Sequence, residues 1–291
     1  MRPESAITAF EDNPGSLDKP PAVQTISIVS GKGGDGRTAI ALNLAVAMAR
    51  LQNRVLLMDG NLSLGNLDLA LNIQQQSNLS HLVDGSKDLQ EIAVAGPEGV
   101  WLIPSPHGNT EMSQLSQIQH NGIINAFSSL PVAADIMFID NDAGVSRSVI
   151  DFTNAARQVL VVVCDEPASL QNAFLTMQSI SADGGTDRFR VIANKVSSSQ
   201  HGLDVYSELF RMTDRYLDVL LEYCGAIPQD DMMLQATQKR ASVLESCPGC
   251  KSARSVEMLA KKIKEWPKPL EPKGQPEFFV ERLVNASLND R

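Results

Sequence analysis

A glycine-rich segment, GKGGDGRT at residues 31–38, follows the apolar run 26–29 and precedes the apolar-periodic stretch 39–51. A loop of this kind between a strand and a helix binds phosphate, because its backbone N–H groups point inward and the helix N-terminus adds partial positive charge. The pattern G-x-x-x-x-G-K-[ST] asks for lysine where this chain has arginine. The segment therefore predicts a nucleotide site with an altered cation. The residues assigned to it are Gly31, Lys32, Gly33, Gly34, Asp35, Gly36, Arg37 and Thr38.

From residue 23 onward, short apolar runs rich in β-forming residues alternate with helix-period patterns. This alternation predicts an α/β fold, with a doubly wound, mostly parallel sheet flanked by helices. The predicted strands are 25–30, 55–59, 100–104, 135–140, 159–164, 190–194 and 223–228. The predicted helices are 38–51, 111–129, 145–155, 168–181, 203–220, 230–240 and 252–265.

The chain divides into four segments. Residues 1–22 are polar and contain four prolines, which predicts a disordered lead-in. Residues 23–265 carry the alternating pattern and are expected to form the nucleotide-binding domain. Four further prolines within residues 266–276 predict a semi-rigid linker, and residues 277–291 predict a short amphipathic helix and tail.

Composition excludes several function classes. The net charge of −9 argues against sequence-independent DNA binding, which needs a basic surface. No run approaches the ~20 apolar residues of a membrane span, and the polar N-terminal segment does not resemble a signal peptide. Four cysteines fit a reducing compartment. We therefore expect a cytoplasmic protein without direct nucleic-acid binding.

Cys247 and Cys250 form a C-P-G-C pair. Such a pair supplies half of a metal site or a redox couple, or it flanks a Pro-Gly turn with free thiols. Because the chain has no second C-x-x-C, the turn is the favoured interpretation.

Acidic and amide residues follow two of the predicted strands. Asp59 and Asn61 end the run that begins at Val55, and Asp140 and Asp142 end the run that begins at Ile136. Open α/β sheets bind ligands at the carboxyl ends of their strands. Asp140 follows four apolar residues, as does a Walker B carboxylate that holds hydrated Mg²⁺. Singly, such acids are often only helix caps; together with the loop they predict a site.

These residues carry a resemblance to a known family. Three segments resemble the MinD/ParA class of deviant Walker A ATPases. They are GKGG…T, the Asp59 run leading into residues 65–68, and Ile139-Asp140 with residues 143–144. Further blocks resemble the FleN/FlhG branch of that class, the flagellar number regulators, and the likeness spans most of residues 23–284. These blocks are residues 161–169, 188–194, 216–219, 225–228 and 278–284.

The resemblance implies a switch that binds Mg·ATP, forms a homodimer across the nucleotide and separates on hydrolysis. It implies that Lys32 reaches the partner's phosphates, that Arg37 contacts the β- and γ-phosphates, and that Asn194 borders the adenine. It also implies a magnesium site at Thr38, Asp59 and Asp140. FleN-like proteins are anti-activators of an enhancer-binding flagellar transcription regulator and work with an SRP-like flagellar GTPase.

Four departures from the family pattern lie beside the expected γ-phosphate. Arg37 replaces a compact lysine, and Asn61 replaces the catalytic aspartate that orients the attacking water. Asp35 and Asp142 add carboxylates, which would repel a triphosphate. Since catalysis here depends on positioning and electrostatics, we expect impaired or lost hydrolysis, with ATP or ADP bound weakly or not at all.

Three alternatives stay open. The chain could be a working, slow ATPase switch, or its loop could only pack the top of the sheet. A ParA-like partitioning role on DNA is disfavoured by the net charge of −9. The terminal segment 277–284 could lie on the inner membrane as a peripheral amphipathic helix or fold back into an apolar groove of the domain; its polar face has few basic residues for anionic lipid.

Overall fold

The computed structural model describes residues 22–130, 134–268 and 271–289. Within these residues one eight-stranded sheet has the order β3-β4-β2-β5-β1-β6-β7-β8. All neighbouring pairs are parallel except β3 with β4. The strands are β1 Gln24–Ser30, β2 Val55–Gly60, β3 Val94–Ala95, β4 Trp101–Ile103, β5 Ile136–Asn141, β6 Gln158–Val163, β7 Arg188–Val196 and β8 Leu220–Pro228.

Helices cover both faces of the sheet, as the alternating pattern predicts. The longer ones are α1 Arg37–Arg50, α5 Gln117–Ala126, α6 Arg147–Ala155, α7 Pro167–Ala182, α8 Ser199–Tyr216, α9 Asp231–Gln238, α11 Lys251–Lys264 and α12 Val280–Asn289. The short ones are α2 Leu67–Ala70, α3 Leu79–Val83, α4 Leu89–Ile92 and α10 Val243–Ser246. The predicted fold class is confirmed.

Alternating side chains of the central strand β1 pack into different hydrophobic cores. Ile28 of β1 packs with Leu44 of α1 and Val256 of α11 in one buried cluster. The next residue, Val29, belongs to a cluster with residues of α7 and α8. Because successive side chains of a strand point to opposite faces, both faces of this strand are buried. This explains why the central strands read as continuous apolar runs.

Strand register brings the predicted site residues to one edge. Asp140 of β5 stands opposite Ile28 of β1 and opposite Asp59 of β2. The phosphate loop leaves β1 two residues beyond Ile28. The sheet therefore delivers the loop and both acids to the same carboxyl edge.

Two predicted helices differ from the observed ones. The helix predicted at 203–220 is α8, which starts four residues earlier, because the Ser198 side chain accepts a hydrogen bond from the His201 N–H and caps it. It ends at Tyr216, and β8 then begins at Leu220. The segment predicted as one helix at 111–129 is broken, because Ser116 caps a separate helix, α5, with Gln119.

The C-terminal strap, residues 271–284, lies against the domain. Phe278 and Phe279 are only 1% and 0% exposed and pack edge-on against Phe127. The Phe278 N–H donates to the Ala155 carbonyl at 3.2 Å. Phe278, Phe279 and Leu283 are thus buried against the domain, as in the groove interpretation, while Val284 is 43% exposed. Contact of this segment with a membrane stays a prediction.

Charged groups fix the strap, whose first residues belong to the predicted semi-rigid linker. Arg157 and Glu277, both buried, form an ion pair with 2.9 Å between Nε and Oε2. Arg157 also donates to the Glu271 carbonyl at 2.6 Å. Lys273 donates to the Ala156 carbonyl at 2.7 Å, and burial lowers the pKa of Lys273 to about 8. The predicted lead-in at 1–22, apart from Ala22, lies outside the described residues.

Among the residues that the structure describes, no helix combines the length and apolarity needed to cross a membrane.

We expect Phe278→Ala to lower the free energy of unfolding by about 3–5 kcal/mol, because it removes a buried ring between Phe127 and Phe152 and leaves a cavity. Met258→Ala, at an exposed position of α11, is the matched control, with an expected change below ~0.5 kcal/mol. Urea unfolding followed by circular dichroism measures both. Small, equal effects would contradict the docking of the strap.

Candidate nucleotide site

The phosphate loop joins β1 to α1 through glycines that the geometry requires. Gly36 is the N-cap of α1 with φ of 90°, in the left-handed region that glycine favours. A Cβ on Gly31 would lie 2.2 Å from the backbone nitrogen of Ala173 in α7. No side chain caps the start of α1, so the first N–H groups of the helix are left for an acceptor such as phosphate.

Two residues at the end of β7 hold this loop from one side. Asn194 donates to the Asp35 carbonyl at 2.7 Å, and a Cβ on Gly36 would lie 2.4 Å from its Nδ2. Lys195 donates to the Gly34 carbonyl at 2.6 Å. Asn194 fixes the loop backbone, and its predicted place beside the adenine stays a prediction.

Asp35 has a different place from the predicted one beside the γ-phosphate. Its side chain is buried, and its Oδ2 accepts hydrogen bonds from Ser169 Oγ at 3.0 Å and from the Lys32 N–H at 3.3 Å. Burial raises the pKa of this carboxyl. The carboxylate therefore ties the loop to the first turn of α7. The predicted electrostatic repulsion of phosphate does not follow from this arrangement.

Arg37 turns back into the protein. Its Nε donates to Asp140 Oδ1 and its Nη1 donates to Ser30 Oγ, both at 2.9 Å. The two side chains of the ion pair are 11% and 2% exposed. Burial raises the pKa of Asp140, and the Arg37 charge opposes that rise. The arginine thus neutralises the acid at the end of β5.

The second acid, Asp59, is wholly buried and satisfied by backbone groups. Its Oδ1 accepts from the Asn61 N–H at 3.1 Å, and its Oδ2 accepts from the N–H groups of Asn66 at 2.8 Å and Leu67 at 3.1 Å. Burial raises the pKa of Asp59 to about 7, with the adjacent charge of Asp140 adding to the rise. Asp59 therefore organises the turn that enters α2.

The predicted magnesium ligands lie together, and protein donors contact each of their carboxylate oxygens. Thr38 Oγ1 donates to Asp140 Oδ2 at 2.6 Å, while Asp140 Oδ1 accepts from Arg37. Both oxygens of Asp59 accept backbone N–H groups. The acid that would hold a hydrated magnesium ion is thus already paired with a cation, which does not fit a second cation at the same carboxylate.

Asn61 and Asp142, the two other departures, are engaged in their own turns. Asn61 Oδ1 accepts from the Leu64 N–H at 3.1 Å. Asp142 Oδ1 accepts from the Ala143 N–H at 2.7 Å. The catalytic assignment of Asn61 and Asp140 remains a prediction.

Lys32 makes an ion pair with Glu166 at the start of α7. This contact raises the pKa of Lys32 and lowers the pKa of Glu166. Both side chains are partly exposed, so the pair can exchange for a phosphate at small cost. The implied reach of Lys32 across a dimer stays a prediction.

Two adjoining cavities lie at the loop. One of about 230 Å³ is lined by Ser30 and residues 32–39. The other, of about 430 Å³, is lined by Asn194, Lys195 and residues 227–231, and it shares Gly34, Gly36, Ala39 and Thr237 with the first. Together they offer a cavity at the phosphate loop and a larger one beyond it.

Sequence reasoning missed several residues that build this site. Asn141 donates to Ser27 Oγ at 2.8 Å, and Ser27 lies 2.8 Å from Thr153 Oγ1, which ties β1, β5 and α6 together beneath the loop. Ser169 and Lys195 hold the loop itself. Two of them had a signal: Asn141 and Lys195 directly follow Asp140 and Asn194.

At the C-P-G-C pair, the Cys250 N–H donates to the Cys247 carbonyl at 3.1 Å, which forms the expected turn. Both thiols are free.

We expect Ser169→Ala to lower the free energy of unfolding by about 1–3 kcal/mol, because it removes a donor from the buried Asp35 carboxylate. Asp35→Val combined with Ser169→Ala should recover part of this loss, since the buried carboxylate is then gone, while the Cys164 N–H that donates to Ser169 Oγ still lacks its acceptor. Ser179→Ala, on the same helix, is the control and should change stability by less than ~0.5 kcal/mol. Thermal unfolding of the four proteins measures the effects. A neutral Ser169→Ala would contradict the role assigned to Asp35.

Comparisons with known proteins agree with this geometry. Residues 26–243 match the CobQ/CobB/MinD/ParA nucleotide binding domain. The chain is 41% identical over 262 residues to the antiactivator FleN of Pseudomonas aeruginosa, covering 90% of this chain and 94% of that protein. It is 26% identical to the flagellum site-determining protein YlxH of Helicobacter pylori, covering 87% and 83%.

Solved structures agree on the fold. The septum site-determining protein MinD of Pyrococcus horikoshii, solved with Mg-ADP, superposes with a TM-score of 0.69 at 23% identity, covering 84% of this chain and 97% of that one. The resemblance found in the loop and strand-end motifs is confirmed, and the chain belongs to the CobQ/CobB/MinD/ParA family of nucleotide-binding domains.

Proposed function

We propose that this protein regulates flagellar gene expression or flagellar number by contact with another protein, from a nucleotide-binding domain with impaired hydrolysis. The relatives named FleN and YlxH support the flagellar role. The partner that fits an antiactivator is an enhancer-binding flagellar transcription regulator. An SRP-like flagellar GTPase and a second copy of the chain are further candidate partners.

The observation that carries the impaired hydrolysis is the Arg37–Asp140 ion pair. Phosphoryl transfer depends on a cation aimed at the transferred phosphate and on a residue that orients water. Arg37 donates to Asp140, and the side-chain Oδ1 of Asn61 accepts from the Leu64 N–H. An amide at this position also lacks the charge of an aspartate that would accept a proton.

Binding of ATP or ADP is part of the proposal. The loop retains its glycine geometry, the α1 N-terminus is uncapped, and two cavities adjoin it. Lys32 stands beside the loop in a partly exposed ion pair.

A second candidate function is a slow ATP-hydrolysing dimerisation switch. The retained Lys32 and Thr38, with the cavities at the loop, favour it. The net charge of −9 disfavours ParA-like binding to DNA, which needs a basic surface.

We expect the native protein to turn over ATP barely above a control without protein. Arg37→Lys with Asn61→Asp should raise turnover by about tenfold or more, and Arg37→Lys alone by less, because hydrolysis needs both the cation and the water-orienting carboxylate. Phosphate release measures this. Asp140→Ala added to the double variant should abolish the recovered turnover. Rapid native turnover that Asp140→Ala removes would favour the ATPase switch instead.

We also expect the oligomeric state and partner binding to be nearly independent of ATP. A ligand shifts an equilibrium only by its differential affinity for the two states, and a site with an internally neutralised acid has little such leverage. Sedimentation with and without Mg·ATP, and pull-down of an enhancer-binding flagellar regulator, test this expectation. A monomer-to-dimer shift on adding Mg·ATP would contradict it.

A further inference from the structure

We propose that the Arg37 guanidinium takes the place of the divalent cation, so that this protein binds nucleotide without Mg²⁺. The inference rests on the nucleotide binding proposed above and concerns the chemistry of the same site. It follows from how the carboxylates are used, from the burial of the ion pair, and from the donors that Arg37 keeps.

The first argument is that protein donors already contact every oxygen of the acidic groups. Asp140 accepts from Arg37 Nε at 2.9 Å and from Thr38 Oγ1 at 2.6 Å, one donor on each oxygen. Asp59 accepts three backbone N–H groups on its two oxygens. The waters of a hydrated cation would have to share these oxygens with donors that the protein supplies. At Asp140 one of those donors is itself a cation, which already compensates the charge of the acid.

The second argument is the cost of moving Arg37 away from Asp140. The Arg37 and Asp140 side chains are nearly enclosed. Without the guanidinium, the buried Asp140 carboxylate would keep the Thr38 hydroxyl as its remaining donor in the described structure. Breaking a buried ion pair leaves an uncompensated charge and is strongly unfavourable. A lysine, with its compact ammonium, could swing to the phosphates and release the acid.

The third argument is that Arg37 retains donors for a ligand. In the described residues its contacts with Asp140 and Ser30 use two of the five guanidinium N–H groups. Arg37 also lines the smaller cavity at the phosphate loop. The remaining fork can donate to phosphate oxygens in bidentate fashion. One residue then bridges Asp140 to phosphate, as a metal ion otherwise does.

The test compares ADP binding by calorimetry in excess Mg²⁺ and in excess EDTA. For the native protein the two dissociation constants should differ by less than about twofold. For Arg37→Lys, EDTA should weaken binding by about tenfold or more, because Asp140 is released to a metal. Arg50→Lys is the control, since Arg50 lies at the far end of the same helix and pairs with Glu98. It should behave as the native protein does.

A manganese measurement keeps the test decisive if Arg37→Lys does not fold. Native protein added to Mn·ADP should take up ADP and leave Mn²⁺ behind, so that the paramagnetic signal of free Mn²⁺ rises. A fall in that signal, or ADP binding lost in EDTA, would overturn the inference and leave the proposed function standing. Absence of ADP binding under both conditions would overturn the nucleotide part of the proposed function and this inference with it.

Discussion

Two wholly buried carboxylates stand side by side in register, Asp59 on β2 and Asp140 on β5, and the candidate site is arranged around their charge. Like charges at this separation in a dry interior repel strongly, so each must be compensated or neutralised. For Asp59, three backbone N–H groups compensate the charge, and a pKa of about 7 lets the carboxyl be partly protonated near neutral pH. Arg37 and Thr38 compensate the charge of Asp140. The contacts of Arg37 and Thr38 follow from this requirement.

A charge-preserving change in a phosphate loop is therefore not conservative. Lysine and arginine carry the same charge, but arginine is longer, planar and able to satisfy two acceptors at once. Here it reaches both Asp140 and Ser30, and its position is fixed from inside the protein. The carboxylate added at Asp35 is likewise bound inside the protein, because it accepts a hydrogen bond from Ser169 of α7. Both substitutions thus change contacts within the protein around the phosphate loop more than they change the entrance to the site.

The sequence was sufficient for the fold and for placing the phosphate loop and the strand-end acids at one edge of the sheet. Alternating apolar runs predicted seven of the eight described strands, because buried parallel strands read as continuous apolar segments; the two-residue β3 carries no such signal. The loop and the strand-end acids were found because their spacing relative to strands is visible. Where the side chains point was not predictable. Whether Asp35 faces a phosphate or Ser169 depends on α7, which is more than 130 residues away along the chain.

The C-terminal strap has a consequence for biosynthesis. Phe278 and Phe279 complete a core whose other members, such as Phe127 and Met137, are made well over one hundred residues earlier. Chains emerge from the ribosome N-terminus first, and contacts of such long sequence separation form late. A nascent chain that has already formed the whole sheet still lacks one wall of this core. The core around Phe127 thus becomes fully packed only after Phe278 and Phe279 have left the ribosome.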